Sequence, residues 1–300
     1  MKTKIILNPN AGQGHGAKVL PDIEHHLQTL GIPYDLVQTT APHQADTLTA
    51  QAIADGYERV VAAGGDGTIN EVVNGLLTTQ TEGHSAVLGV LPVGSGNDLA
   101  YALGISADVA TACARLKNGS ARQIDVGKVT VDGVPRYFAN NVGIGFDGEV
   151  VVDLAQGRTL NGFLMYLWSV FRVLFKGRWP FEVEVAIDGN HFRQDVTLIN
   201  VANGMRSGGG FLLTPHAKLD YGLLDICYAD GLSKIGVLNL LPRTINGSHI
   251  RQKSVTLTTG TKVEITVPDG APAHIDGEVL CRRGQDFKFE ILKNKLTVWA

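Results

Sequence analysis

Gly64-Gly65-Asp66-Gly67-Thr68, followed at once by Ile69-Asn70-Glu71-Val72-Val73-Asn74-Gly75, decides how this chain is read. The apolar, β-branched run Val60-Val61-Ala62-Ala63 comes before it, and Ile69, Val72, Val73, Leu76 and Leu77 follow at helical spacing. The pattern predicts a buried strand ending in a glycine turn, with a helix starting just after. Three glycines let the backbone approach a bulky anion and reach positive φ. The first turn of the helix offers N–H groups and the positive end of a dipole. Asp66 sits inside the turn. A carboxylate beside phosphates is unfavourable unless a cation bridges them, as Mg²⁺ does in phosphoryl-transfer sites. Together these features point to a nucleotide triphosphate site. The alternative is a strand–helix turn with a capping Asp or Thr.

Outward from this turn, the first ~125 residues alternate strand and helix patterns. Strands are expected at Lys4–Asn8, Tyr34–Gln38, Val60–Ala63 and Val87–Leu91. Helices are expected at Lys18–Leu30, Gln44–Asp55, Asn70–Leu77, Asp98–Leu103 and Val109–Leu116, with Gly31 and Gly56 ending the first two. Such units build a parallel sheet with helices on both faces, whose ligands collect at the carboxyl ends of the strands. Asn8-Pro9, the Gly64 turn and the loop Pro92-Val93-Gly94-Ser95-Gly96-Asn97-Asp98 all fall at such ends. Three loops are therefore expected to share one crevice.

After Asp125 the pattern becomes mostly antiparallel β. Val126–Val131 and Arg136–Val142 form a hairpin pattern around Asp132-Gly133, and Glu182–Ile187 and Phe192–Asn200 another around Asp188-Gly189-Asn190. Further strand-like runs are Leu223–Ala229, Ser254–Thr258, Lys262–Val267, Ala273–Ile275, Glu278–Cys281 and Asp286–Ile291. The expected domains are 1–125, α/β, and 126–300, an antiparallel β domain. Whether the last ten residues return to the first domain is left open by the pattern.

A chain of 300 residues, 44% apolar and 18% charged, is an ordinary globular composition with room for two domains. Its net charge of −3 argues against a nucleic-acid binder with a broad basic surface. Cys113, Cys227 and Cys281 lie far apart, with neither metal-ligand spacing nor a disulfide framework, as expected of cytosolic thiols. The N-terminal apolar run is too short for a signal peptide. Leu160 to Phe175, reading LNGFLMYLWSVFRVLF, is shorter than the ~20 residues that span a bilayer and contains Arg172, with Lys176 and Arg178 just beyond. It reads as a core helix, as the wall of an acyl-chain pocket, or as a segment that dips into a membrane surface.

Several polar groups could carry chemistry. Ser95, Asn97 and Asp98 suit hydrogen bonds to phosphates or hydroxyls, or a helix N-cap by Asn97 or Asp98. Ile275-Asp276-Gly277-Glu278 places two carboxylates around a glycine, as a base and metal acids require, or is a type I′ hairpin turn. Asp125 stands at the domain junction. Met205-Arg206-Ser207-Gly208-Gly209-Gly210-Phe211 reads as a mobile loop or a simple turn.

Asn8-Pro9…Gly12, Thr39-Thr40, GGDGTINEVVNGL (64–76), LPVGSGNDLA (91–100), Ile124-Asp125-Val126-Gly127, Gly208-Gly209-Gly210 and Ile275-Asp276-Gly277-Glu278 occur in an order that resembles the diacylglycerol kinase catalytic family. The likeness covers nearly the whole chain and is nearest to the bacterial soluble lipid kinases of the YegS, DgkB and BmrU type. GGDGT is shared with NAD kinases; the P-x-G-x-G-N-D loop and the late D-G-E are more specific.

The resemblance implies an α/β nucleotide domain and a β-sandwich lipid domain, ATP and Mg²⁺ as cofactors, and a membrane lipid as acceptor, with diacylglycerol the first choice. It implies peripheral, transient contact with the inner face of the membrane from the cytoplasm, and allows a homodimer. By matching positions, Asn8, Pro9, Asn10, Ala11, Gly12, Thr40, Gly64, Gly65, Asp66, Gly67, Thr68, Ile69, Asn70, Glu71, Ser95, Asn97 and Asp98 would line the nucleotide. Asp66 would act on Mg²⁺ through water, Glu278 would be the general base, and Asp125 would support it. Ser95 stands at or beside the place of a family Thr and keeps the hydroxyl. Some members hold a structural Mg²⁺ in the β domain through an acid just before a glycine, as in Asp-Gly-Leu-Leu-Asp. Here Lys218, Asp220, Tyr221 and Leu223 cover that place, with Tyr221 where the acid would stand and Asp220 beside it. The rival readings are a NAD kinase-like small-molecule kinase and a non-catalytic nucleotide- or lipid-binding regulator.

Overall fold

The computed structural model describes residues 1–79, 86–155, 162–177 and 179–300, with the side chains of 162–166 left aside. Leu160 and Arg178, named above, lie outside the described residues. The chain forms two compact units: Met1–Asp125 with Asn294–Ala300, and Val126–Lys293.

In the first unit, β1 (Thr3–Leu7), β2 (Tyr34–Gln38), β3 (Arg59–Gly64) and β4 (Val87–Pro92) form a parallel sheet in the order β2-β1-β3-β4. The helices α1 (Ala11–Thr29), α2 (Ala45–Ala54), α3 (Asp66–Thr79), α4 (Asp98–Ala102) and α5 (Val109–Asn118) connect and cover it. β3 is buried along its whole length, as a parallel strand covered on both faces must be. Register fixes the site. Leu7 pairs with Ala63, Ala63 with Leu91 and Gly64 with Pro92. The loops leaving β1, β3 and β4 therefore emerge side by side. The chain's end returns to this sheet, with Val298 paired parallel to Leu88.

In the second unit, β5 (Ala121–Val131, which enters from the first unit) and β6 (Val134–Phe138) form a hairpin. It is followed by β7 (Asn141–Gly145), α6 (Phe146–Leu154), α7 (Gly162–Lys176), β8 (Phe181–Ile187), β9 (Asn190–Ala202), β10 (Leu224–Asp230) and α8 (Lys234–Ile245). A short 3-10 turn (Ser248–Arg251), β11 (Val255–Gly260), β12 (Lys262–Ile275) and β13 (Glu278–Trp299) complete the chain. The strands run β11-β10-β9-β7-β12-β13, with β8 bridging β9 and β12 and the β5–β6 hairpin on β13. Val142, Ile144, Val183, Val185, Ile199, Val201, Ile226, Val263, Ile265 and Phe287 alternate inward into one core. The opposite face carries α6, α7 and α8, joined through Phe146, Val150, Val170, Val173, Leu174 and Val237.

Three expectations change. Arg136–Val142 is two strands, because the N–H groups of Ala139, Asn140 and Asn141 leave the ladder for the Asp276 carboxylate. Two helices, α6 and α8, stand where no element was read. The four C-terminal runs form only two long strands, whose pairing shifts register between Thr266 and Ala271 and again around Ala273.

Candidate active site

The three first-unit loops meet through glycine. A Cβ on Gly94 would lie 2.2 Å from the Gly65 Cα, so only hydrogen at both positions lets these backbones touch. A Cβ on Gly12 would lie 2.7 Å from the Val93 carbonyl oxygen. Gly12, Gln13 and Gly14 all have positive φ, so α1 opens with a left-handed detour before its regular turns begin. The Asn8 amide donates to the Thr68 hydroxyl (3.1 Å) and accepts from the Asn10 N–H (3.0 Å), tying the β1 loop to the start of α3. Backbone dipoles, hydroxyls and amides thus converge at the α3 N-terminus, an arrangement that suits phosphate oxygens.

Asp66 lies in the first turn of α3, half-buried. Its Oδ1 accepts the Asp98 N–H at 2.7 Å and the Leu99 N–H at 3.4 Å, so it caps α4 across the loop. Asn97 holds the N-cap position of α4 in the left-handed region without a side-chain cap. Its amide instead accepts from the Gly94 N–H (3.0 Å) and donates to the Gly94 carbonyl (2.8 Å), fixing the loop. Asp98 is buried and Ser95 exposed. Glu71 accepts the His43 and Ala45 N–H groups (3.1 and 2.9 Å), which anchors the start of α2. Beside it, the Thr40 N–H and hydroxyl both donate to Gln44. Asp125 is buried and accepts the Asn294 N–H at 2.8 Å, where the returning chain meets the first unit.

In the second unit, Asp276 (φ 45°) and Gly277 (φ 84°) form the β12–β13 turn, with Ile275 paired to Glu278. Both central residues have positive φ, as a type I′ turn requires. The buried Asp276 carboxylate accepts three N–H groups, from Ala139 (3.1 Å), Asn140 (3.1 Å) and Asn141 (2.8 Å). The Asn140 and Asn141 amides donate in turn to the Arg206 carbonyl (2.8 and 3.1 Å), and Asn203 donates to the Ala139 carbonyl (3.0 Å). The loop at 205–211 is thereby tied down, and Ser207 bridges Phe211. Glu278 projects from this fixed turn and is exposed. Sequence reading missed Asn140, Asn141 and Asn203. The signal available was an amide pair between two strands, opposite an Asn-Gly.

The chain matches the diacylglycerol kinase catalytic domain model over residues 2–129 and the YegS C-terminal NAD kinase β-sandwich-like domain model over 140–300. It is 32% identical over 279 residues to the diacylglycerol kinase of Bacillus subtilis (strain 168), covering 92% of this chain and 89% of that protein. The chain belongs to the diacylglycerol kinase catalytic family. This is a family of lipid kinases, and the chain is of its bacterial type. The crystal structure of a diacylglycerol kinase from Bacillus anthracis str. Sterne superposes with a TM-score of 0.74 at 22% identity, over 99% of this chain and 96% of that one. Yeast NADH kinase shares the fold more distantly, with a TM-score of 0.53 at 11% identity, over 100% and 80%.

The structural Mg²⁺ that the resemblance gives to some members would meet a donor set here with a tyrosine in place of the acid. The Tyr221 hydroxyl donates to the Asp225 carboxylate, and burial is the main force raising the pKa of both groups. Lys218 and Asp220 are exposed, and Leu223 adds only apolar side-chain surface.

Proposed function

We infer that the protein transfers the γ-phosphoryl group of ATP to a hydroxyl of a membrane lipid, with diacylglycerol the first-choice acceptor and phosphatidic acid the product. The observation that carries this reading is the match of both units to one lipid-kinase family, with a relative named diacylglycerol kinase aligned over 92% of the chain. The glycine-packed loops of the first unit support it. They leave a backbone surface for phosphates with Asp66 at its edge.

The first unit holds the nucleotide. Asn8 to Gly12, the Gly64–Glu71 segment, Thr40 and the Ser95–Asp98 loop supply its contacts. Asp66 would hold Mg²⁺ through water, and the metal would supply neutralisation of charge on the phosphate oxygens. Glu278 takes the proton of the acceptor hydroxyl as its oxygen bonds to the γ-phosphorus. The bond from that phosphorus to the β–γ bridging oxygen breaks, and ADP leaves. Asp125 is the residue proposed to support Glu278. Work on a membrane lipid implies a cytoplasmic protein that visits the inner membrane face.

Incubation with labelled ATP, Mg²⁺ and a panel of lipids in mixed micelles tests the reading. Label in phosphatidic acid from diacylglycerol is the expected result. Label in no lipid, or in NAD, overturns it.

A further inference from the structure

Helix α7 is apolar on both faces. Val170, Val173 and Leu174 point into the core shared with α6 and α8. Trp168, Phe171 and Phe175, at i, i+3 and i+7, point the other way and are exposed. Helix α8 repeats the pattern, with Val237 buried and Ile235, Leu238 and Ile245 exposed. Among the described residues, six of the nine large apolar side chains that are exposed lie on these two helices, at 39% to 71% exposure. Isolated exposed apolar residues need no explanation; a run of them on two packed helices does.

Charge identifies what covers this face. Neither helix contains Asp or Glu, while α7 carries Arg172 and Lys176 and α8 carries Lys234 and Arg243. Arg172 is paired with Asp153 of α6 (3.2 Å). Lys234 lies 5.2 Å from the Phe175 ring centroid and donates to the Phe175 carbonyl (3.4 Å), so it links the two helices at the margin of the apolar face. Lys176 and Arg243 are exposed at the last turns of α7 and α8. A protein partner would commonly meet such cations with carboxylates. Large apolar side chains bordered by cations, on two helices that themselves carry no Asp or Glu, match the headgroup–acyl boundary of an anionic bilayer. No helix among the described residues is long and apolar enough to cross a membrane, so the contact lies on the surface.

We propose that the outer faces of α7 and α8 together form a docking pad for an anionic lipid bilayer, on which Trp168, Phe171, Phe175, Ile235 and Leu238 insert while Lys176, Lys234 and Arg243 select negative headgroups. The proposal rests on the lipid-kinase reading for its purpose, but its geometry belongs to the second unit alone.

Flotation with vesicles in the absence of nucleotide tests it, using phosphatidylcholine alone and phosphatidylcholine with about one third phosphatidylglycerol. The wild-type protein should favour the anionic vesicles. Phe171→Ser with Phe175→Ser should weaken binding to them at least ~10-fold, and each of Lys176→Glu, Lys234→Glu and Arg243→Glu at least ~5-fold. All of these variants should keep wild-type turnover of a short-chain diacylglycerol presented as soluble monomer. Vesicle binding without anionic preference, or variants that float like wild type, overturns the pad. So does a wild-type dimer that the serine variants convert to monomer, which would make a second copy the occupant. Should the serine variants unfold, the charge reversals carry the same test. Failure to phosphorylate the soluble acceptor counts against the kinase reading and leaves the vesicle result standing.

Discussion

Asp66 and Asp276 are both acids followed by glycine, one opening a helix and the other in a hairpin turn, and both give their carboxylates to backbone N–H groups of a distant segment. Asp66 serves the start of α4, 32 residues away, through one oxygen. Asp276 serves three consecutive N–H groups at 139–141 and is 5% exposed. Burial and partner number separate them. An acid enclosed by three donors holds architecture, which leaves its exposed neighbour, Glu278, as the proposed base of this turn. An acid that remains half-buried at a helix N-terminus can serve both a cap and a metal. The same two letters, Asp-Gly, open a helix in one place and make a hairpin turn in the other, and the surroundings decide what the carboxylate does.

The largest test falls on Asp66. Asp66→Ala should lower kcat by about 10⁴-fold, since charge stabilisation through a metal is worth several kcal/mol. Its stability should fall by only ~1 kcal/mol, the value of a lost cap. Near-normal turnover at saturating Mg²⁺ would make Asp66 a cap alone and erase the contrast with Asp276. Glu278→Gln should lower kcat by about 10³-fold while nucleotide binding and melting temperature hold. The acidic limb of the pH–rate curve should disappear with the carboxylate. An unchanged profile would move the base to Asp125 or Asp98.

Asp276→Ala should act in the opposite currency. Three buried N–H groups lose their acceptor, at a cost of about 3 kcal/mol in urea denaturation. Because the turn also aims Glu278, kcat should drop while the KM for nucleotide stays put. If Asp276→Ala is as stable as wild type, burial does not distinguish the two acids. A smaller effect is expected at Tyr221. Tyr221→Phe leaves the buried Asp225 without its hydroxyl donor and should cost about 1–2 kcal/mol. Chelator should not change the wild-type melting temperature, whereas Tyr221→Asp should bring a Mg²⁺-dependent rise. A wild-type protein that melts earlier in chelator would return a metal to this place.

Most of the first unit is legible because its determinants are local. Apolar periodicity marks each strand and helix, and Gly31 and Gly56 end helices at positive φ as expected. The loop cluster follows from strand ends in a parallel sheet. The second unit hides more. Val150-Val151-Val152 inside α6 favours a strand by propensity, and packing of Val150 onto α7 overrides it. Gly236 and Pro242 weaken the helical signal of α8. The break between β6 and β7 depends on a carboxylate more than 130 residues away, and the cap of α4 on one in the first turn of α3. No local pattern contains either.

The two other Asp-Gly hairpins supply the smallest and cleanest test. Asp132 and Asp188 share the positive φ of Asp276 and also accept N–H groups from a neighbouring strand, but both are exposed. Asp188 accepts from the Thr261 hydroxyl (2.8 Å) and the Lys262 N–H (2.9 Å), and these bonds hold its pKa below the ordinary carboxylate value. As pH falls, the unfolded chain therefore takes the proton first. The stabilisation is complete above the ordinary carboxylate range and drains away as pH falls through that range toward the folded-state pKa. Solvent screening keeps its size under ~1 kcal/mol. Asp188→Asn should thus lose little stability at neutral pH, and its stability should depend less steeply on pH below about 4 than that of wild type. Denaturation curves at a series of acidic pH values measure the difference. A loss at neutral pH as large as that of Asp276→Ala would show that partner bonds alone, and not enclosure, set the value of an aspartate in these turns.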